Sequence, residues 1–561
     1  MSLRIALLFF SLLISLGDLR SAAFAQETSE GPSIEGPVEG LIGPAVEMNS
    51  DLRDLLIEGR RQRELEPIEV PLHRVPFPEL APATHGDVET QLAPPNSVDP
   101  FKTKKSALSK PDPNFDGISQ FDPGAFFVPP DTNGDVGPNH YVQTVNSSIA
   151  VFDKHGNTLA GPLPLSALFA PLGGSCVVGS PIDPLVNYDP LADRWLVLGF
   201  PFESPICIAV SQTGDPVAGG WFLYAFDVAD LPDYPKLGVW PDAYYLSTQA
   251  GTVQVYALDR SSMLNGDPVQ FVHFSVGPPF LLPADLDGPP PKPRQLVADL
   301  SGRQQHLVPP APFVRHVDGD VWGGVDRLEV FEFRANFEDP ASSGFELVDS
   351  LPTEPFRAVL CGDPFFGGCA AQPNGVRLEA LPVWLMWRLQ YRSFGNRETL
   401  VVNHTIAVDS ALGEGAGIRW YELRRRHGGR WTIFQQGTFA AQDPAASSFL
   451  HRWMGSIAMD KKGNIALGFS ATSSDVFPSV RYVGRTANDP LGLMPQGEPP
   501  NGDHVMIAGE NSSIATRWGD YSSMSVDPED GCTFWYTQEY IGADLDLWRT
   551  RIGAFRFPSC H

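Results

Sequence analysis

Two similar phrases carry side chains suited to acid–base chemistry. Trp240-Pro-Asp242 and Trp518-Gly-Asp520-Tyr521 each place an aspartate two residues after a tryptophan. A pair of carboxyl groups, one protonated and one ionised, is what hydrolysis of a glycosidic bond requires. We therefore predict acid–base roles for Asp242, Asp520 and Tyr521, and ligand contacts for Trp240 and Trp518.

Three arginines recur at a regular spacing. Arg388, Arg452 and Arg517 are separated by 64 and 65 residues. Guanidinium groups brought together from neighbouring structural units would clamp a carboxylate through bidentate hydrogen bonds. We predict that Arg452 or Arg517 is an electrostatic clamp in the catalytic site and that Arg388 contacts the ligand. Ion pairing with the abundant acidic residues is the structural alternative.

A third motif offers oxygen ligands at alternate positions. Asp131-Thr-Asn133-Gly-Asp135 has the D-x-N-x-D arrangement of calcium loops, and calcium takes six to eight oxygens. The motif lacks the glutamate at the twelfth position that completes an EF-hand. Ca²⁺ bound by Asp131, Asn133 and Asp135 is the one cofactor that the sequence predicts, and an Asx-turn is the alternative. Asp131 is also a predicted ligand contact.

Composition limits the kinds of element that can position these side chains. Of the 561 residues, 42% are hydrophobic and 11% aromatic, which excludes a mostly disordered chain. The 53 glycines and 54 prolines exclude a long helical bundle. The formal net charge of -26 argues against nucleic acid as a partner, because nucleic acid requires a basic surface.

Short strand-like runs separated by turn residues recur beyond residue 112. Repeating units begin near six positions: Asp131, Asp183, Gly238, Trp384, Gly455 and Gly519. The gap of 146 residues between the third and fourth starts is twice the usual spacing and predicts a hidden unit around residues 314–333. The sequence therefore predicts an all-β, seven-bladed β-propeller over residues 112–561, with six or eight blades as alternatives.

In a propeller, the residues that open the innermost strands approach the central channel. We therefore expect Asp131, Asp242 and Asp520 to converge on one face. Tyr521, Arg452 and Arg517 are expected to join them there. The alternative is that these aspartates hold the blades together by accepting backbone N–H groups around the channel.

The N-terminal region is predicted to be a leader and a linker. Arg4, an apolar run and the small-x-small sequence Ala23-Phe24-Ala25 are typical of a secretory signal peptide over residues 1–25. Residues 26–111 are rich in proline and glutamate and predict a disordered linker, with a short helix within residues 48–66 as an alternative. No later stretch is apolar enough to span a membrane, so we expect a secreted or periplasmic protein.

All six cysteines lie in the predicted mature chain. An even number in an oxidising compartment indicates disulfides, for which fifteen connectivities exist. Nearest-neighbour pairing gives Cys176–Cys207, Cys361–Cys369 and Cys532–Cys560. Zinc spacing is absent, so metal ligation by these cysteines is the weaker alternative.

Several long phrases go beyond the general pattern of propellers. They are PPDTNGDVGPNHYVQTVN (129–146), DYPKLGVWPDAYY (233–245), GIRWYELR (417–424), RWMGSIAMDKKGNIALGFS (452–470), RWGDYSSMSVDP (517–528) and CTFWYTQEY (532–540). Together they resemble hallmark segments of a functionally uncharacterised family of secreted bacterial β-propeller-like proteins. The resemblance extends over the chain after Asp112 and implies export and a propeller fold, without implying a reaction. Asp135 is a departure, since relatives often have alanine there.

Two functions follow as alternatives. The first is a secreted monomeric scaffold that binds a glycan or protein ligand at its channel face, through the acids and arginines named above. The second is a carbohydrate-active enzyme, either a glycoside hydrolase or a polysaccharide lyase, that uses the same side chains for catalysis. The same fold hosts both classes, so fold alone does not choose between them.

Overall fold

The computed structural model describes residues 32–55, 68–70, 108–202, 205–228, 232–292, 308–362, 368–426, 428–543 and 547–561. The structure is all-β, with 51% of the chain in strands and 6% in helices. Among the described residues, no helix is both long and apolar enough to cross a bilayer. The predicted signal peptide lies outside the described residues, as does most of the predicted linker.

Seven antiparallel sheets follow one another along the described chain, and we number them blades 1 to 7. Their inner strands are Asn133–Val136, Ile182–Asp189, Asp233–Val239, Leu282–Leu286, Met386–Ser393, His451–Met459 and Ser523–Val526. Their second strands are His140–Val145, Arg194–Phe200, Ala243–Ala250, Ala311–Val317, Arg397–Ser410, Ile465–Ser473 and Phe534–Ile541. Their third strands are Ser148–Asp153, Ile206–Ser211, Thr252–Asp259, Arg327–Arg334, Gly413–Arg426, Val476–Arg485 and Trp548–Phe555. Their outer strands are Thr158–Pro164, Trp221–Phe226, Val269–Val276, Gly344–Pro352, Thr432–Phe439, His504–Ile507 and Asn114–Ser119.

The inner strands form a closed ring. Each contacts the inner strand of the next blade, and blade 7 contacts blade 1. Blades 4 and 5 are joined by parallel pairing, with Ala284 opposite Leu389. The predicted seven-bladed propeller is therefore confirmed, and the hidden unit is blade 4.

The ring closes through a strand from the other end of the domain. Asn114–Ser119 pairs with Trp548–Phe555 and completes blade 7. The first and last strands of the propeller therefore lie in one sheet, joined by hydrogen bonds rather than by the chain.

Part of the predicted linker adds strands to the outside of the ring. Ile34–Ile42 pairs with the outer strand of blade 3, and Val46–Met48 pairs with that of blade 2. The sequence predicts no strand here. In Ile34–Ile42 only Ile42 is buried, so this strand has no hydrophobic pattern that the sequence could reveal. Main-chain hydrogen bonds to the open edge of blade 3 hold the strand in place. We call this segment, residues 34–48, the N-terminal belt.

Short elements connect the blades or lie beside the belt. A 3-10 helix at Leu52–Asp54 buries Leu52, where the sequence offered a longer helix as an alternative; residues 56–67 lie outside the described part. Ile68–Glu69 pairs in parallel with Phe127–Val128, and Ala370–Ala371 pairs with Arg377–Leu378. The other helices are Leu165–Leu168, Ala170–Leu172, Ser175–Val178, Arg260–Asn265, Gly319–Trp322 and Pro340–Ser342.

The three predicted disulfides are present. Cys176 is bonded to Cys207, Cys361 to Cys369, and Cys532 to Cys560. The last bond ties the turn between the first two strands of blade 7 to the C-terminus. Disulfides fit an extracellular location.

Large aromatic side chains fill the space between the blades. Tyr245 packs against Phe333 of blade 4 with ring centroids 5.2 Å apart, and Tyr141 stacks on Trp535 of blade 7 at the same distance. The fully buried tryptophans are Trp195, Trp221, Trp240, Trp387, Trp420, Trp431, Trp453, Trp518 and Trp535. This core fixes the rotation of each blade and so the directions in which the inner strands present their polar side chains.

Candidate functional sites at the two faces of the channel

The inner strands run side by side in one direction around the channel, so the ring has two distinct faces. We call the face where these strands begin the N-face and the face where they finish the C-face. A residue just before an inner strand lies near the N-face, whereas a residue in the turn after that strand lies near the C-face.

A cavity of about 590 Å³ opens at the C-face, and we call it the C-face cavity. Residues at the ends of the inner strands and in the turns after them form its wall. Apart from the polar groups described below and the exposed carboxylate of Glu529, the lining residues are Val136, Pro138, Tyr188, Pro190, Leu191, Leu286, Gly288, Pro289, Pro290, Val526 and Pro528. The wall is therefore mostly proline and aliphatic, and it belongs to the size range of small-molecule sites.

Arg388 lies at the floor of this cavity between two carboxylates. Its Nη1 atom is 3.1 Å from Asp135 Oδ2 and 2.5 Å from Asp285 Oδ2. Asp135 also accepts a hydrogen bond from the backbone N–H of Tyr188, and Asp285 accepts one from Val239. Both carboxylates therefore link neighbouring blades while they hold the guanidinium.

Asp287 lies two residues after Asp285 in blade 4, and its carboxylate is also held by protein groups. It accepts hydrogen bonds from Arg392 Nη2 at 2.9 Å and from Gln390 Nε2 at 2.5 Å. The backbone N–H of Val526 donates to it across the channel, at 3.1 Å. Burial raises the pKa of Asp287. Burial likewise raises the pKa of Asp285 to about 7, against the opposing charge of Arg388.

Two polar atoms of cavity-lining residues remain unsatisfied. Ser525 Oγ and Arg388 Nε are buried, and neither has a hydrogen-bond partner in the described part of the chain. A buried polar group without a partner costs about 1–3 kcal/mol. The floor therefore combines paired ions with a buried hydroxyl and a buried guanidinium N–H that have no partner among the described residues.

The N-face carries a second group of ionisable side chains, which we call the N-face cluster. It comprises Asp131, Asp183, Asp233, Tyr234, Lys236, Glu379, Arg517, Asp520, Tyr521 and Glu539. Asp131, Asp183 and Tyr234 have φ values of 48°, 48° and 50°, a conformation that residues other than glycine rarely adopt. The inner strands of blades 2 and 3 are bulged at these places, and bulges redirect side chains next to functional sites.

Hydrogen bonds and ring contacts connect four blades at the N-face. Tyr521 Oη donates to Asp183 Oδ2 at 3.1 Å, and the backbone N–H of Asp520 donates to Asp131 Oδ1 at 2.8 Å. Lys236 Nζ lies 3.1 Å from the ring centre of Tyr234 and 3.5 Å from that of Tyr521. The lysine ammonium is therefore enclosed by two aromatic rings with aspartates around them.

Arg517 anchors the outer part of this cluster. Its Nε atom is 2.6 Å from Glu379 Oε1, its Nη1 donates to the carbonyl of Val70 at 2.8 Å, and its Nη2 is 3.9 Å from Asp520 Oδ2. Glu539 accepts a hydrogen bond from the backbone N–H of Gly519. The segment at residues 68–70 thus reaches the N-face.

Burial dominates the proton affinities of the cluster. It raises the pKa of Asp520 to about 6 and that of Glu379 to about 8, in both cases against the charge of Arg517. It also raises the pKa values of Asp131 and Asp233 well above 3.8, and the charge of Asp183 adds to the effect. Burial lowers the pKa of Lys236 well below its ordinary value. At neutral pH the cluster therefore holds protons on some of its carboxyl groups.

The structure brings together four of the predicted site residues and separates the others. Asp131, Arg517, Asp520 and Tyr521 meet at the N-face, as expected from their places before the inner strands. The expectation that Asp242 joins them is wrong, because Asp242 follows its inner strand and lies near the C-face. There its carboxylate accepts a hydrogen bond from Tyr245 Oη at 3.2 Å, and burial raises its pKa to about 6.

Arg388 and Arg452 do not join Arg517 in a clamp. Arg452 is fully buried, and its Nη2 atom lies 2.7 Å from Asp503 Oδ2. This ion pair with an acidic residue is the structural alternative to a ligand clamp. Arg388 is held by Asp135 and Asp285 at the C-face.

Trp240 and Trp518 belong to the core between blades. Trp240 donates to the carbonyl of Pro309, and Trp518 donates to Ser470 Oγ. Because both side chains are buried, neither presents a surface to a ligand.

The oxygens of the predicted calcium motif accept hydrogen bonds from the protein. Asp131 accepts from Asn146 Nδ2 as well as from Asp520, and Asn133 Oδ1 accepts from the backbone N–H of Val186. Asp135 is engaged with Arg388. These contacts join blades, as in the alternative interpretation of the aspartates, and calcium binding remains a prediction.

Sequence reasoning did not single out Asp183, Asp233 or Lys236 as functional. A signal was present, since Asp183 opens its unit as Asp131 does, and Asp233 and Lys236 lie within the DYPK phrase. The burial of a lysine inside the channel has no signature in the sequence.

No family model and no curated protein matches this chain. Among solved structures, it is similar to the WD40 domain of SCAP from fission yeast, with 7% identity over 74% of this chain and 82% of that one and a TM-score of 0.28. It is also similar to a GH43_12 protein from a capybara gut metagenome, with 10% identity over 82% and 75% and a TM-score of 0.28. A third is the catalytic domain of the GH62 α-L-arabinofuranosidase of Coprinopsis cinerea, with 11% identity over 57% and 90% and a TM-score of 0.24. At TM-scores this low the likenesses carry no argument, and the propeller assignment rests on the order of the strands.

Proposed function

We propose that the protein is a secreted propeller that binds a neutral, hydroxyl-rich ligand, the end of a glycan chain, in the C-face cavity. The observation that carries this proposal is a cavity of about 590 Å³ whose floor contains Arg388 between two carboxylates. Export is proposed from the signal sequence and agrees with the three disulfides.

The balance of charge at the floor favours a neutral ligand. Asp135 and Asp285 share Arg388, and Asp287 is paired with Arg392. An ionic ligand would have to displace one of these partners, and breaking a buried pair costs about 3–5 kcal/mol. Hydroxyl groups can instead donate to carboxylates and accept from guanidinium or serine groups without disrupting the pairs.

The wall of the cavity fits the same class of ligand. Proline and aliphatic side chains offer apolar surfaces on which the C–H faces of a sugar ring can pack, while the few convergent polar groups set its orientation. Ser525 Oγ and Arg388 Nε supply hydrogen-bonding capacity that the described protein leaves unused.

The test is a glycan array probed with the mature chain, followed by calorimetric titration of the best ligand. Leu191→Trp would fill the cavity from its half-buried rim and should weaken binding at least tenfold. Leu491→Trp is the matched control, because Leu491 is 58% exposed and does not line the cavity. An absence of binding across the array, or equal affinity for both variants, would reject the proposal.

A further inference from the structure

Two carboxyl groups of the N-face cluster reach solvent. The side chain of Asp520, just before the inner strand of blade 7, is 18% exposed. Asp233, the first residue of the inner strand of blade 3, is partly buried. Tyr521 Oη, next to Asp520, is 3.4 Å from the carbonyl oxygen of Pro235. The two inner strands therefore approach each other at the N-face, and the charge of Asp520 acts on the carboxyl group of Asp233.

Polar groups without partners lie beside these acids. The side chain of Tyr234 is 2% exposed, and its hydroxyl has no hydrogen-bond partner within the described ranges. The charges of Asp520, Asp183, Asp131 and Asp233 all act on this hydroxyl. Gln249 is paired in register with Asp233, and both polar atoms of its buried side chain also lack partners among the described residues. Unsatisfied buried groups of this kind are expected where a ligand completes the site.

The charge of the cluster selects the chemistry. Among the described residues, six carboxyl groups of the cluster surround two basic side chains, Lys236 and Arg517. Such a site offers carboxyl groups for proton transfer, and it has few cations to bind a phosphate or carboxylate substrate or to stabilise the negative charge that develops in acyl transfer or lyase reactions. It favours a reaction in which positive charge develops, and glycoside hydrolysis passes through an oxocarbenium-like transition state.

We infer that the N-face cluster is a glycoside-hydrolysing site, in which Asp233 donates a proton to the leaving oxygen and Asp520 accepts a proton from the attacking water. The glycosidic C–O bond breaks as the water oxygen bonds to the same carbon. The proton of Asp233 goes to the released hydroxyl, and the proton from water goes to Asp520. Exchange with solvent restores both groups, so no other reactant is needed.

The surroundings assign the two roles. The titratable and charged groups around the pair are Asp131, Asp183, Lys236, Glu379, Arg517 and Glu539, with the hydroxyls of Tyr234 and Tyr521 between them. The pKa of Asp520 is about 6, because burial exceeds the effect of Arg517, so near pH 7 it is mostly an ionised base. The pKa of Asp233 is raised well above 3.8, first by burial and then by Asp183 and Asp520, which favours the protonated form that a general acid needs. In such reactions the general acid and the general base are usually two carboxyl groups whose different surroundings give them different pKa values.

Other members of the cluster are positioning residues. Asp131 fixes the backbone of Asp520 through its N–H, and Asp183 orients Tyr521. Lys236 Nζ contacts the rings of both Tyr234 and Tyr521, whose centroids lie 5.5 Å apart. This site lies at the opposite face from the C-face cavity, so failure of glycan binding there would not affect hydrolysis here.

The experiment is a turnover screen of the full-length mature chain against aryl glycosides and polysaccharides, with release of reducing sugar as the readout. Asp233→Asn and Asp520→Asn should each lower kcat at least a hundredfold. Asp409→Asn, on an exposed carboxylate of blade 5, should retain the wild-type rate. The pH profile should have its acidic limb near 6, from Asp520.

A chemical rescue separates catalysis from folding. Asp520→Ala should regain turnover of an activated aryl glycoside when azide is added, because a small anion can occupy the place of the lost carboxylate. A purely structural role would give no rescue. Absence of turnover on every substrate, or full activity in Asp233→Asn or Asp520→Asn, would overturn the inference.

Discussion

Removal of Arg388 should destabilise the protein in a pH-dependent way. In Arg388→Met the side-chain volume is largely kept, while Asp135 and Asp285 lose the cation between them. Loss of one partner from a buried ion pair costs about 3–5 kcal/mol. The expected loss at pH 8 is of that size.

The dependence on pH follows from Asp285. Its folded-state pKa of about 7 lies above the ordinary value of 3.8, so the folded protein holds this proton more tightly than the unfolded chain does. In the wild type the contribution of Asp285 to stability is therefore full at low pH and is lost as the pH rises from about 4 to about 7. At pH 5 the folded protein already holds Asp285 protonated, and the neutral acid depends little on Arg388. At pH 8 the group is ionised in the wild type, one pH unit above its pKa. Without Arg388 it must stay protonated, which adds about 1.4 kcal/mol to the loss at pH 8.

Urea unfolding at pH 5 and pH 8 measures this difference. The gap in unfolding free energy between wild type and Arg388→Met should be larger at pH 8, by up to about 1.4 kcal/mol from Asp285. In an Asp285→Asn background, the same substitution should show a smaller dependence on pH. Equal gaps at the two pH values, or no change in the Asn background, would refute the account of this triad.

Two further predictions concern ring closure and calcium. Ile118→Ala, on the strand that completes blade 7, removes a fully buried side chain and should lower the unfolding free energy in urea by about 2–5 kcal/mol. The control Val178→Ala, at an 87% exposed position, should stay within about 0.5 kcal/mol of wild type. Similar values for both variants would show that the closing strand adds little stability. The predicted calcium site is tested by comparing the melting temperature in millimolar calcium and in chelator. A micromolar site would add about 4 kcal/mol to the unfolding free energy in millimolar calcium, seen as a clear rise in melting temperature. Equal melting temperatures would instead support the alternative, in which the oxygens of Asp131, Asn133 and Asp135 only accept hydrogen bonds from the protein.

The blade number could be predicted because each unit repeats a similar local pattern. A strand, an Asp-centred turn and an aromatic second strand recur wherever the chain starts a new sheet, so spacing alone gave six starts. In blade 4 a long connection separates the inner strand Leu282–Leu286 from the second strand Ala311–Val317, so this unit was predicted only from the double gap. The N-terminal belt could not be predicted, because its contacts are made by the main chain and leave most of its side chains exposed.

The candidate sites were predictable only in part. Asp131 and Asp520 were found because they precede inner strands, and the same rule misplaced Asp242, which follows one. Lys236 was missed because a lysine inside a core contradicts the usual preference of charged residues for the surface. The C-face cavity depends on side chains from five blades, and their meeting is determined by the ring rather than by any local pattern.

The strand Asn114–Ser119 has a consequence for the order of assembly. It is synthesised before the other strands of the ring, whereas its partner Trp548–Phe555 is synthesised after them. Until then blade 7 lacks its outer strand and the ring stays open. Contacts so distant in sequence form slowly, so we expect closure to be a late and abrupt step of folding. A chain cut short by its last fifteen residues would keep six sheets and still fail to become a ring.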